Sequence, residues 1–360
     1  MNQPIAHRCS GGVLCVLGVL VLVAVIATHT AAQTAEDRYP IVKDGKLGFI
    51  DANGIVVIPP QFFPIADMAH FQDGLAAVGG ARGSGYIDPS GRYLIGPQNE
   101  WGQGRTFHEG IAGVLMWGRN GTSNSVALID QRGQVVLSSP MLREGDYFSE
   151  GLMTMAERGK WGFVDKRFQW AIAPQYSNAR AFSEGRAAVQ IGSMWGFIDK
   201  TGKTVVPATY DWTWNFADGL ALVRIRVAAR GNERPASDCQ CLLGFVDDAG
   251  QEVIPPRYSQ ATSFSQDRAI ARAPGESQVI IDKTGNVIQL VQGDAANAFS
   301  EGLAAVHVDG LWGYVDRFGL WIIPPQFTNA DDFRHGLARV AWAGGHGYIN
   351  KTGRTVWKAP

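Results

Sequence analysis

Hydrophobic and polar residues alternate along this chain in short runs. The clearest lies at 303–327, LAAVHVDGLWGYVDRFGLWIIPPQF. "LAAVHV" reads as a β-strand and is followed by Asp309-Gly310, the dipeptide favoured where both residues of a two-residue hairpin need positive φ. "LWGYVD" then returns antiparallel, with Trp312, Tyr314 and Asp316 alternating against Gly313 and Val315. Asp316-Arg317-Phe318-Gly319 reads as a type I turn with a bulge: the Asp side chain bonds the turn's own amides and the Gly takes the left-handed conformation. A third strand, "LWIIPP", ends at prolines that cannot donate to a ladder. The pattern predicts a three-stranded meander with no helix.

The same pattern recurs. Its "GFID" element starts at Gly48, Gly85, Ala127, Gly162, Gly196, Gly244, Val279, Gly313 and Gly347, in steps of about 34–48 residues. A second marker, "FSEGLAAV" in type, begins at Phe71, Phe107, Phe148, Phe182, Phe216, Phe264, Phe299 and Phe333, and a third, "IPPQF" in type, at Ile58, Ile254 and Ile323. The expected fold is all-β: nine stacked three-stranded meanders over 41–358, curved or propeller-like, with an open solenoid-like array as the alternative. A lone meander of this size cannot bury its faces, so neighbours must stack.

These markers resemble those of the WG-repeat (KWG) family of bacterial proteins, whose units read WGFIDKTGKxVIPPxY…FSEGLAxV. The stretch "WGFIDKTGKTVVPATY" at 195–210 is close to that form. The name-giving pair is kept at Trp161-Gly162, Trp195-Gly196 and Trp312-Gly313 and lost in the other units. The resemblance implies an exported, repetitive, β-rich protein and carries over no catalytic residue.

Repetition itself assigns roles. The acid at the strand-two turn recurs in every unit, as Asp51, Asp88, Asp130, Asp165, Asp199, Asp247, Asp282, Asp316 and, amidated, Asn350. A residue needed nine times serves what every unit shares, so these are turn-formers rather than a calcium cage or catalytic set. The recurring Trp and Tyr read as packing between units. Candidates for function are the departures. Residues 227–241 form a polar insertion holding Arg230 and Arg234, and a second insertion follows Met116. Trp101, Trp117, Trp212 and Trp214 stand off the shared aromatic positions, as platforms for sugar rings or peptide side chains, or as local core.

Composition narrows the reading further. A formal net charge of -1 provides no basic face for nucleic acid. Residues 1–32 have the anatomy of a secretory signal peptide: Arg8, an apolar run at 13–27, and Thr30-Ala31-Ala32 before Gln33. An uncleaved anchor is the alternative and the only expected membrane contact; 33–40 is a short polar lead. Past the leader two cysteines remain, Cys239 and Cys241, either loop thiols or a local bridge; they make half a zinc site with no His beside them. No cofactor is expected. Of His70, His108, His307, His335 and His346, two (His108 and His335) sit in the F-x-x-G turn and read as surface variants. Glu100 and Glu144 are unique carboxylates without an evident partner. The expected function is a non-enzymatic scaffold, periplasmic or secreted, for an unidentified protein, peptide or glycan. A hydrolase acting on cell-wall or glycan material is the alternative.

Overall fold

The computed structural model describes residues 37–65, 69–116, 125–139, 142, 147–226 and 241–359. The proposed signal peptide, Trp117, Glu144, Arg230, Arg234 and Cys239 lie outside them. The described residues belong to one compact unit and form nine antiparallel sheets, with no helix among them. In chain order the sheets span 39–62, 76–95, 101–138, 153–176, 178–210, 212–258, 260–291, 295–327 and 329–358; we number them 1 to 9.

Sheet 8 shows how the sequence makes each one. Strands Leu303–Val308 and Leu311–Asp316 pair in register across Asp309 (φ 50°) and Gly310 (φ 85°), the positive pair a type I′ hairpin requires. At the next turn Asp316 Oδ1 accepts the amides of Phe318 (2.8 Å) and Leu320 (2.9 Å), while Gly319 sits at φ 80°. The equivalent side chain accepts the same pair of amides in all nine sheets, from Asp51 with Asn53 and Ile55 to Asn350 with Thr352 and Arg354. Sheet 4 keeps this turn with Phe168 at φ 59° in the glycine position; Phe168 packs its ring on Phe148.

Two of the sequence markers prove to be one device. Opposite Gly313 the outer strand Trp321–Phe327 bulges: Trp312 pairs with Phe327 and Tyr314 with Ile323, so one residue faces three. A Cβ on Gly313 would lie 2.6 Å from the Ile323 carbonyl oxygen. The glycine of "WG" therefore makes room for the proline bulge of "IPPQF". Sheet 7 carries Val279 and no tandem proline, and there Val279 pairs directly with Leu290.

Six sheets have a fourth strand where three were expected. Glu301 (φ 51°) and Gly302 (φ 91°) form a second type I′ turn, closed by paired backbone bonds between Ser300 and Leu303. The F-x-x-G marker is thus itself a hairpin, and it folds the connecting segment back onto the next first strand. In sheet 9, Asn329–Ala330 pairs in this way with Ala341 and Val340. Sheets 1, 2 and 4 have three strands among the described residues.

The marker phenylalanine also joins one sheet to the next. Its ring meets edge-on the aromatic of the preceding "GFID" in the pairs Phe49–Phe71, Tyr86–Phe107, Phe163–Phe182, Phe197–Phe216, Phe245–Phe264 and Tyr314–Phe333, at 4.8–5.1 Å. Each contact buries its rings between neighbours and adds about 0.5–1.5 kcal/mol beyond the area removed from water. Sheet 9 packs in turn on sheet 1: Leu337 and Tyr348 share a core with Tyr39, Ile41 and Ile50. The Tyr348 hydroxyl donates to the Pro40 carbonyl across 2.9 Å, and that of Tyr39 to the His335 carbonyl. The array closes, so the fold is a nine-bladed β-propeller and not an open solenoid.

Candidate ligand-binding site at the ring seam

Antiparallel alternation places the Asp turns, and the F-x-x-G turns of the sheets that carry them, at one end of the sheets and the hairpins between first and second strands at the other. F-x-x-G turns of sheets 5 to 9 line a single open depression of about 620 Å³, so they converge around the axis. There they bond in relay. The third residue of one turn accepts the amide of the next turn: Gly110 donates to Asp73 (2.8 Å), Gly151 to Glu109 (3.1 Å), Gly185 to Glu150 (3.0 Å), Gly219 to Glu184 (2.8 Å), Gly302 to Gln266 (2.7 Å) and Gly336 to Glu301 (3.0 Å). Lysines following the Asp or Asn of the second turn brace these acids, with Lys166 at 3.1 Å from Glu109, Lys200 at 3.0 Å from Glu150 and Lys351 at 2.9 Å from Glu301. Burial alone would raise the Glu301 carboxyl. The Lys351 ammonium and the Gly336 and His335 amides outweigh it and hold the group below the usual carboxylate range.

The relay changes character in unit 9. His335 (φ 50°) replaces the acid, with its Nδ1 3.3 Å from Asp37. Arg334 replaces a residue that is Ser in sheets 4, 5, 7 and 8. One step along, Arg339 stands on the first strand, opposite Tyr348. Its counterparts are Pro40, Ala77, Gly113, Thr154, Ala188, Leu222, Ile270 and Ala305. It is the one charge in a column of small and apolar residues. Beside these departures lies a cavity of about 380 Å³ whose lining includes Arg38, His70, Asp331, Asp332, Arg334 and Arg339, with Asn297, His335 and Tyr348 also in its wall. Burial pushes the His70 imidazole below its usual value; Arg334 and His335 add to that and Asp331 opposes it. Tyr314 donates to the Asp331 backbone carbonyl across 2.7 Å and Asn297 Nδ2 to Asp332 Oδ1 across 2.9 Å, which fixes the acidic side of the wall.

The family model described as a WG containing repeat matches residues 161–194, 195–226, 244–273, 280–312 and 312–341. The chain belongs to the WG-repeat family. A search of curated proteins finds no match. Among solved structures, the WG-repeat chain is similar to a crystal structure of the eukaryotic initiation factor, with a TM-score of 0.62 at 14% identity over 89% of this chain and 94% of that one. Kluyveromyces lactis Hsv2p has a TM-score of 0.39 at 9% identity, covering 80% of this chain and 93% of that one. The Neurospora crassa Pan2 WD40 domain has a TM-score of 0.33 at 13% identity, covering 78% and 84%. At such identities the first likeness is one of fold alone.

The tryptophans singled out from the sequence are not brought together. Trp101 is buried in the core between sheets 2 and 3, where no ring face is open to a ligand. Trp214 is half-buried against the core of sheets 6 and 7. Trp212 is exposed at the hairpin end of sheet 6, edge-on to Trp195 at 5.5 Å, with the Arg180 guanidinium 4.5 Å and that of Arg224 5.8 Å from its ring. Cys241 is disulfide-bonded, and the other three cysteines lie outside the described residues. Glu100 is exposed. Among the described residues no group of three His, Cys, Asp or Glu is placed to hold a metal ion.

Sequence reasoning passed over Arg334, Arg339, Asp331 and Asp332, and read His335 as a surface variant. A signal was available for three of them: Arg334, His335 and Arg339 break their columns in the repeat, whereas the columns of Asp331 and Asp332 vary from unit to unit. What the sequence did not contain is that residues as far apart as Arg38, His70 and Arg339 meet at the seam.

Proposed function

We propose that this propeller is a non-enzymatic interaction scaffold, exported to the cell envelope or beyond, that engages its partner through the seam cavity and the turns around it. One observation carries the reading: residues repeated in every unit are spent on hairpins, caps and inter-sheet contacts, whereas Arg334, His335 and Arg339, which break the repeat, gather at one cavity. A side chain freed from scaffold duty is available for recognition. Export rests on the N-terminal segment, and the fold supports the scaffold role without naming the partner.

The repeat supplies its own controls. Arg334→Ser and Arg339→Ala each install the residue that sheet 8 carries in the same column, so the fold is preserved. Immobilised 33–360 is expected to retain an envelope component that the double variant releases. Retention undiminished in the double variant would refute the cavity as the contact. A reporter fused behind residues 1–32 tests export directly.

A further inference from the structure

Three guanidinium groups (Arg38, Arg334, Arg339) and two carboxylates (Asp331, Asp332) line the seam cavity. Among the described residues, no ion pair within 4.0 Å joins any of these arginines to either acid. Arg38 Nη1 is directed to the Asp37 carbonyl at 3.3 Å, and its Nε is buried without a hydrogen-bond partner. Among the described residues Asp332 accepts a hydrogen bond from the Asn297 side-chain amide alone. The separation is built in. Asp331 and Asp332 precede the F-x-x-G turn and Arg334 lies within it. Arg339 projects from the first strand, held by pairing to Tyr348 and by its carbonyl's bond from the Asp331 amide (2.9 Å).

Opposite charges that share a small cavity and leave one another unpaired are arranged for a guest that supplies both partners. Resting on the reading of this cavity as the binding site, we propose that it takes a small carboxylate bearing a hydroxyl or ammonium donor beside the acid group. The guest carboxylate lies on the Arg334 and Arg339 guanidiniums, whose planar forks match carboxylate oxygens. Its donors face Asp331 and Asp332, which are acceptors only when ionised. A volume of about 380 Å³ falls in the range of small-molecule sites. Phosphate, or a dicarboxylate lacking donors, satisfies the arginines and leaves the two acids opposed to further negative charge. Amino acids and sugar acids both carry the required chemistry.

Titration calorimetry of 33–360 with L-glutamate, D-glucuronate, succinate and inorganic phosphate tests this. Glutamate or glucuronate is expected to bind at least about tenfold more tightly than succinate or phosphate, the margin of one lost charge-assisted hydrogen bond. Which of the two binds decides between an amino-acid and a sugar-acid source. Arg334→Ser/Arg339→Ala should abolish the signal. Asp331→Asn, the residue sheet 8 carries at that position as Asn297, should erase the preference over succinate while leaving the carboxylate held. Succinate binding as well as the donor-bearing acids, no binding by either acid, or full binding by the arginine double variant would each overturn the inference. If no small acid binds yet the double variant still loses its envelope partner, this inference falls and the scaffold reading stands; if both assays fail, both fall.

Discussion

Gly196→Ala tests the link between the Trp-Gly pair and the proline bulge. A methyl group at that position would lie 2.4 Å from the Val206 carbonyl oxygen, 2.7 Å from the Ala208 nitrogen and 2.8 Å from the Pro207 carbonyl carbon. All three are backbone atoms, so no rotamer change relieves the contact. The bulge has to shift, and with it Val206 and Tyr210, both buried against sheet 6. Overpacking of this kind costs about 3 kcal/mol, and the reduced freedom of the unfolded chain returns about 0.5–1 kcal/mol. The net loss is about 2 kcal/mol. Gly113→Ala is the matched control. It too is a buried strand glycine, but its nearest neighbours to a new Cβ are side-chain carbons of Arg105 and Val126 at 3.9 Å, and sheets 2, 5 and 8 carry Ala in that column as Ala77, Ala188 and Ala305. It should gain about 0.5–1 kcal/mol. Equilibrium urea unfolding followed by tryptophan fluorescence reads both. With a slope of about 3 kcal/mol/M the Gly196 variant's midpoint falls by roughly 0.7 M while that of the Gly113 variant rises. Equal midpoints for parent and Gly196→Ala, or shifts of one sign in both variants, would show that the glycine is not there for the bulge.

Asp51 is buried and accepts two turn amides, so Asp51→Ala should cost about 1–3 kcal/mol by leaving them unpaired. Asp51→Asn should cost less, because Asn350 holds the same two bonds in sheet 9; urea midpoints compare the two. Glu301 is held below the ordinary carboxylate range by Lys351 and the turn amides against the effect of burial. Its contribution is therefore present above the unfolded-state value and is lost as pH falls through the folded-state value. Glu301→Gln should weaken the protein at pH 7 and flatten the stability decline on acidification; an unchanged acid limb in thermal melts would contradict the assignment. Tyr348→Phe removes a buried hydroxyl bonded to Pro40 and should cost about 1 kcal/mol, with hydrogen exchange rising first at 39–43 and 345–350. Faster exchange elsewhere with those strands still protected would mean that the seam is not where the ring opens.

The sequence by itself determined what is local and repeated. Asp44-Gly45 and Asp309-Gly310 set the first hairpins of sheets 1 and 8, and the recurring Asp set the second turn. Periodicity fixed nine units, since these outcomes follow from φ preferences and from side chains reaching amides two and four residues away. It did not reveal the fourth strand, because pairing of Asn329–Ala330 depends on where the His335-Gly336 turn returns the chain. Nor did it choose between ring and solenoid. That choice belongs to Tyr39 meeting Tyr348, some three hundred residues apart, and to the small rotation accumulated from sheet to sheet. The binding site needed closure as well. Arg38 and His70 near one end of the chain face Arg334 and Arg339 near the other only because the propeller brings its last sheet back against its first.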